Sequence, residues 1–218
     1  MAYNRVDMKP DRRRKVLAIV AVAVTLGVGA PDAARAADPR YPDWPCNQLK
    51  VPDISIAAVW AGPPIDDVRA TWDSDPQLKD LVVRLAARRT PMDEAQKRIA
   101  DFLTGSAVEK EANAKRLFAG LFVTLNRQRS EVMNGIERIT RKQKTLAGKI
   151  RADALELRNL HDASTSDQAK VEELTNQVAW STRIFEDRRK TINYACEVPG
   201  LIERRLFSLA RAIQQGME

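Results

Sequence analysis

The chain has one histidine, His161, and two cysteines, Cys46 and Cys196. These counts limit its chemistry before any fold is considered. One imidazole cannot build a histidine-rich metal centre, and a hydrolytic triad would have to be gathered around it from elsewhere. Two thiols cannot by themselves close a four-cysteine zinc site or hold an iron–sulfur cube. C-x-x-C-H, the attachment motif of c-type haem, is missing. So are the phosphate loop G-x-x-x-x-G-K-[ST], the dinucleotide fingerprint G-x-G-x-x-G, the nucleophile elbow G-x-S-x-G, H-E-x-x-H and the D-x-D-x-D-G calcium loop. The sequence therefore leads us to expect no cofactor and no metal.

Carboxylates remain: Asp66, Asp67, Asp73, Asp75, Asp80 and the neighbours Glu172 and Glu173. Two of them facing across a groove could perform acid–base chemistry on a glycan. One of the two must then keep its proton at neutral pH. Nothing in their spacing selects a pair, so a carboxylate-dependent cell-wall hydrolase is the weakest of three functional readings.

The address of the chain is more legible. Arg5, Lys9, Arg12, Arg13, Arg14 and Lys15 precede Val16 to Ala30, fifteen residues without a charge, and Ala34-Arg35-Ala36 has the A-x-A form. A basic start, a short apolar run and small residues at a cut site describe a secretory signal peptide over 1–36. The competing reading, a retained anchor, needs a longer apolar run, roughly 20 residues. Cleavage removes seven of the 36 basic and three of the 29 acidic residues, so the overall +7 falls to +3. That balance does not fit a nucleic-acid-binding protein. After cleavage no membrane span is expected, and the location implied is the periplasm. There two cysteines most simply form one disulfide, Cys46–Cys196. In the entropic model, closing so long a loop contributes on the order of 5 kcal/mol.

Residues 37–74 hold Pro39, Pro42, Pro45, Pro52, Pro63 and Pro64 together with Trp44, Trp60 and Trp72. So many prolines favour extended and turn backbone, while the indoles have apolar area to bury. An extended strap laid over helices follows. Trp44, Trp60 and Trp72 are also the candidates for an aromatic pocket.

From Asp75 onward the pattern is helical. Short helices are expected over 75–89 and 91–104, the second capped by Thr90, and Gly105 closes it. Ser106 and Glu109 then form a capping box. Phe118, Phe122, Leu125, Arg129, Val132, Ile136, Ile139, Gln143, Leu146, Ile150, Asp153, Leu157 and Leu160 step by four and three, a heptad seam. A polar turn near Ser164 precedes a second seam: Val171, Leu174, Val178, Ser181, Phe185, Arg188, Ile192 and Ala195. The two arms, about 106–195, form an antiparallel coiled-coil hairpin. Its register pairs Leu160 with Val171 and Leu146 with Phe185, and sets Cys196 near Gly135. A last helix over 199–215 offers Ile202, Leu206, Leu209 and Ile213 to a base bundle. The fold class expected for 75–218 is all-α.

One charge pattern stands out. Between Glu137 and Arg151 lie Arg138, Arg141, Lys142, Lys144, Lys149 and Arg151 against one acid. Arg138, Arg141, Lys142, Lys149 and Arg151 make a candidate basic stripe for an envelope protein or an anionic envelope surface. The leading reading is an exported, non-enzymatic interaction protein: an adaptor, scaffold or chaperone-like subunit that works through its hairpin. The second is a ligand-binding or sensor module with a tryptophan-lined pocket. N-terminal sequencing of the exported protein should find Ala37 first; an intact Met1 in the membrane fraction would mean that the leader is kept as an anchor.

Overall fold

The computed structural model describes residues 38–163 and 167–218. The leader expected over 1–36 and the hairpin tip at Ser164 lie outside the described residues. Among the described residues there are six α-helices and no strand: α1 (Ile56–Val59), α2 (Pro76–Ala86), α3 (Met92–Phe102), α4 (Ala107–Asp162), α5 (Gln168–Ala195) and α6 (Val198–Met217). The fold is all-α, as its periodicity indicates.

Local chemistry sets the helix ends. The Asp75 carboxylate accepts from the Gln77 and Leu78 N–H groups and starts α2, with Pro76 at the first helical position. Gly105 adopts φ +102°, which only glycine tolerates easily, and turns the chain into α4. There the Ser106 hydroxyl accepts from the Glu109 N–H while the Glu109 carboxylate accepts from the Ser106 N–H at 2.8 Å. Thr90 does not cap α3. Its hydroxyl donates to the Arg84 carbonyl at 2.8 Å, finishing α2, and Pro91 occupies the cap position instead. Arg205 of α6 supports the same helix end by donating to the Leu85 and Thr90 carbonyls at 2.8 and 3.0 Å. The bonds to Arg84 and Leu85 take up carbonyls that the end of α2 leaves unpaired.

The base core joins α2, α3, the lower part of α4 and α6. Leu78, Val82, Leu85, Ile99, Leu117, Phe118, Leu121, Leu125, Leu206, Leu209 and Ile213 are all buried in it. Trp60 and Ile65 enter it from the strap, and Trp60 stacks on Phe118 with ring centroids 4.2 Å apart. Gly120 lets Trp72 and α2 come close. A Cβ there would sit 2.6 Å from the indole and 2.8 Å from Val82.

Above the base, α4 and α5 form the antiparallel hairpin. The Gln143 amide donates to the Phe185 carbonyl, and the Gln177 amide to the Asp153 carboxylate, both at 2.9 Å. These pairs place the register within one helical turn of the Leu146–Phe185 level read from the sequence. Only Cys196 and Glu197 separate α5 from α6, and both have right-handed helical backbone angles. Pro199 has no N–H to continue the ladder, so the second arm bends there instead of ending.

Two seam assignments need correction. Arg129 lies below the bend and faces α6, not α5. Its buried side chain donates Nε to Glu203 at 2.5 Å and Nη1 to the Pro52 carbonyl at 3.1 Å. The seam is also rotated. Met133, Ile136, Thr140 and Gln143 are buried, whereas Ile139 is 38% exposed. The strap docks on the Glu137 and Arg141 flank of α4, so burial moves to that side and Ile139 is left on the other.

Gln143 is 6% exposed, and its Oε1 is buried without a hydrogen-bond partner. An unpaired buried carbonyl costs about 1–3 kcal/mol, and the single amide bond to Phe185 returns about 1. Gln143→Leu should therefore stabilise the protein by about 1 kcal/mol in urea unfolding. A clear destabilisation would show that the Phe185 bond outweighs the orphaned oxygen.

Candidate functional site

The strap descends α4 by polar contacts. Asp43 accepts from Lys144 at 2.8 Å and from Arg141 at 3.3 Å, and the Pro42 carbonyl accepts from Lys144 at 2.7 Å. The Gln48 amide donates to the Cys196 carbonyl. Lys50 meets Glu137 at 2.6 Å. Lower still, Asn126 accepts from the Ile54 N–H and donates to Asp53, each at 3.2 Å. Cys46 and Cys196 are bonded, with Cα atoms 5.5 Å apart. No residue from 38 to 53 is buried, and Leu49 and Val51 are 73% and 53% exposed. Ion pairs, hydrogen bonds and one covalent bond hold this half of the strap, while apolar packing holds the half around Trp60.

The three strap tryptophans do not meet in one pocket. Trp44 donates its indole N–H to the Gln48 carbonyl within the strap at 2.7 Å. Trp60 is a core residue, 6% exposed, with its N–H on the Pro63 carbonyl. Trp72 rests against Gly120. Trp60 and Trp72 are spent on packing against the base of α4, at Phe118 and Gly120, as the strap reading expects, while Trp44 is held within the strap. A cavity of about 620 Å3 does open beside the strap, but Asp66, Arg69, Phe122, Asn126 and Arg127 line it. Arg69 lies over the Phe122 ring there, 5.2 Å from its centroid.

The carboxylates are mostly engaged as surface partners. Asp67 pairs with Lys115 at 2.7 Å, Asp80 with Arg84 at 2.7 Å, and Asp73 with Lys79 at 3.9 Å. Asp75 caps α2 and meets Arg116 at 3.5 Å. Glu172 and Glu173 are exposed on α5. The Lys115 hydrogen bond lowers the pKa of Asp67, the wrong direction for a proton donor. Asp66 is the one carboxylate lining the cavity beside Arg69. His161 is exposed in the last turn of α4, and among the described residues no three His, Cys, Asp or Glu gather as a metal-binding group.

The structure divides the basic stripe. Arg141 belongs to the strap clasp with Lys144 on Asp43. Lys149 lies 3.8 Å from Asp153 one turn along α4. Arg138, Lys142 and Arg151 are exposed and have no ion-pair partner among the described residues. Across the hairpin Arg188 is exposed rather than in the seam, and with Lys142, Ile139 and Thr191 it lines a shallow cavity of about 270 Å3 between the arms. Sequence reading missed this cross-arm grouping because it placed Ile139 and Arg188 in the seam. The heptad pattern does not single out Trp180, which is 64% exposed on α5. Its position off the α5 heptad track was the available signal.

No family model, no curated protein and no solved structure matches this chain.

The Lys144 hydrogen bond, then that of Arg141, holds the Asp43 carboxyl below its ordinary range. Its share of strap docking is therefore present above the ordinary aspartate range and is lost as pH falls through the lowered value. Asp43→Asn should unfold at lower temperature than wild type at pH 7, and this gap should close as the pH falls below about 4. A gap that persists at pH 2 would mean that the clasp does not depend on the charge of Asp43.

Proposed function

We propose that this is an exported, non-enzymatic interaction protein, an adaptor, scaffold or chaperone-like subunit of the periplasm, whose helical hairpin engages an anionic envelope partner. One observation carries the reading: Arg138, Lys142 and Arg151 stand exposed on the hairpin with no ion-pair partner among the described residues. Their solvated charge contributes little to folding, so their use is in steering and holding a partner. Export is supported by the basic, apolar and small-residue order of 1–36 and by a disulfide suited to an oxidising compartment. Among the described residues no helix is long and apolar enough to cross a membrane. The alternative of a ligand-binding or sensor module with a tryptophan-lined pocket finds no such pocket among the described residues, and would rest instead on the Arg69 and Phe122 cavity.

Capture from an envelope extract tests the reading. Combined Arg138→Glu, Lys142→Glu and Arg151→Glu should reduce capture by about tenfold or more while far-UV circular dichroism stays helical. Salt should weaken wild-type capture, because exposed charges are screened over about 10 Å at 0.1 M. Undiminished capture by the triple variant at low salt would overturn the hairpin as the binding element.

A further inference from the structure

Among the described residues, the rotated seam leaves one flank of the hairpin without a neighbour. Ile139 has the spacing of a seam residue yet is 38% exposed, and it shares a cavity with Lys142, Arg188 and Thr191. The same faces continue upward. On α4, Leu146 follows Ile139 by seven residues and is half-buried, and Lys149 lies two turns beyond Lys142. On α5, Ile184 and Trp180 precede Arg188 by four and eight residues and share its face. Ile184 is half-buried and Trp180 is 64% exposed. The flank is thus a line of apolar residues between arms, edged by Lys142, Lys149 and Arg188. Asp187 is the acid nearest in sequence to Arg188, and Lys190 faces it at 3.8 Å.

We infer that this groove takes an acidic amphipathic helix of a partner protein as a third strand of the coiled coil. The inference rests on the interaction reading above. Two packed helices leave a groove that fits a third helix, and such grooves bind an apolar face through anchors one turn apart. Charge complementarity selects the flanks: glutamates and aspartates beside the apolar face meet Lys142 and Arg188, with Lys149, which Asp153 approaches at 3.8 Å, at the outer end. From Ile139 to the level of Trp180 is about eleven residues of α4, or about 16 Å, so the ligand needs about three turns. A second copy of this flank is excluded by like charge. The chain's own 1–36 segment, with seven basic residues against three acidic, is repelled too. The acidic stretch 66–80 of another copy is a poor candidate, since Asp67, Asp73, Asp75 and Asp80 already hold cations of their own chain.

The probe is a synthetic peptide of about three heptads, with leucines on one face and glutamates on both flanks, added to the disulfide-bonded protein. Binding should saturate and shift tryptophan emission in wild type but not in Trp180→Phe. Lys142→Glu with Arg188→Glu should weaken it by about tenfold or more, as should Trp180→Ser alone, with circular dichroism unchanged. A scrambled peptide of the same composition should bind at least about tenfold more weakly. Equal binding of the scrambled peptide or of polyglutamate would overturn the proposal, leaving only counter-ion attraction. So would binding to phosphatidylglycerol vesicles but not to the peptide, which would make the flank a membrane-facing surface. If the peptide fails while envelope capture still depends on Arg138, Lys142 and Arg151, the helical occupant is wrong and the interaction reading stands.

Discussion

α4 runs unbroken for 56 residues, about 84 Å, and no one neighbour in so small a protein can cover it. Its length constrains everything else. The helix is clothed in stages: by α2 and α6 in the base, by α6 and the strap at Arg129, and by α5 and the strap above that. Each stage uses different chemistry, because the α4 sequence changes along its length. Leu117 to Leu125 offers an almost wholly buried surface, while beyond Gln143 no residue of the helix is fully buried. Stability should follow this gradient, with the base melting as a unit and the outer hairpin opening more readily.

The buried Arg129 marks the transition. A guanidinium that is 4% exposed is costly unless charge and hydrogen bonds compensate it. Here one carboxylate from α6 and one carbonyl from the strap do so, tying three segments that are distant in sequence. Glu203 is itself partly exposed, at 43%, so losing Arg129 would let the carboxylate rehydrate, while losing Glu203 would strand the cation. The pair therefore acts more on register than on net stability. It fixes where α6 and the strap sit against α4, and the disulfide ties the strap to the α5–α6 junction just above.

The strap has two unlike halves. Around Trp60 and Ile65 it is part of the core and cannot leave without exposing Phe118. From 38 to 53 it buries no residue and relies on Cys46, Asp43 and Lys50. The partly exposed Asp43 pairs contribute little each, so the largely buried Lys50–Glu137 pair and the covalent bond are what keep this half in place. By occupying one flank of α4, it makes the two sides of the hairpin unequal, neutralising Arg141 and Lys144 and leaving Lys142 and Ile139 open.

The sequence alone determined the helical class, the Ser106–Glu109 start of α4, the hairpin and the joining of Cys46 to Cys196. Each depends on local signals: a capping box, a heptad period, a polar turn, or the only two thiols in the chain. What those signals left open was decided by contacts between distant segments. Val132 and Met133, or Ile139 and Thr140, fit a heptad track almost equally well, and only the strap's position makes Met133 and Thr140 the buried ones. Arg129 reads as a polar seam residue until the bend at Pro199 brings Glu203 to it. The five basic residues of the stripe look alike in sequence, and three-dimensional proximity alone gives Asp43 to Arg141 and leaves Lys142 facing Arg188. Periodicity reports which residues share a helix face. Which face is covered depends on the packing of segments far apart in the chain, and that exists only in the folded protein.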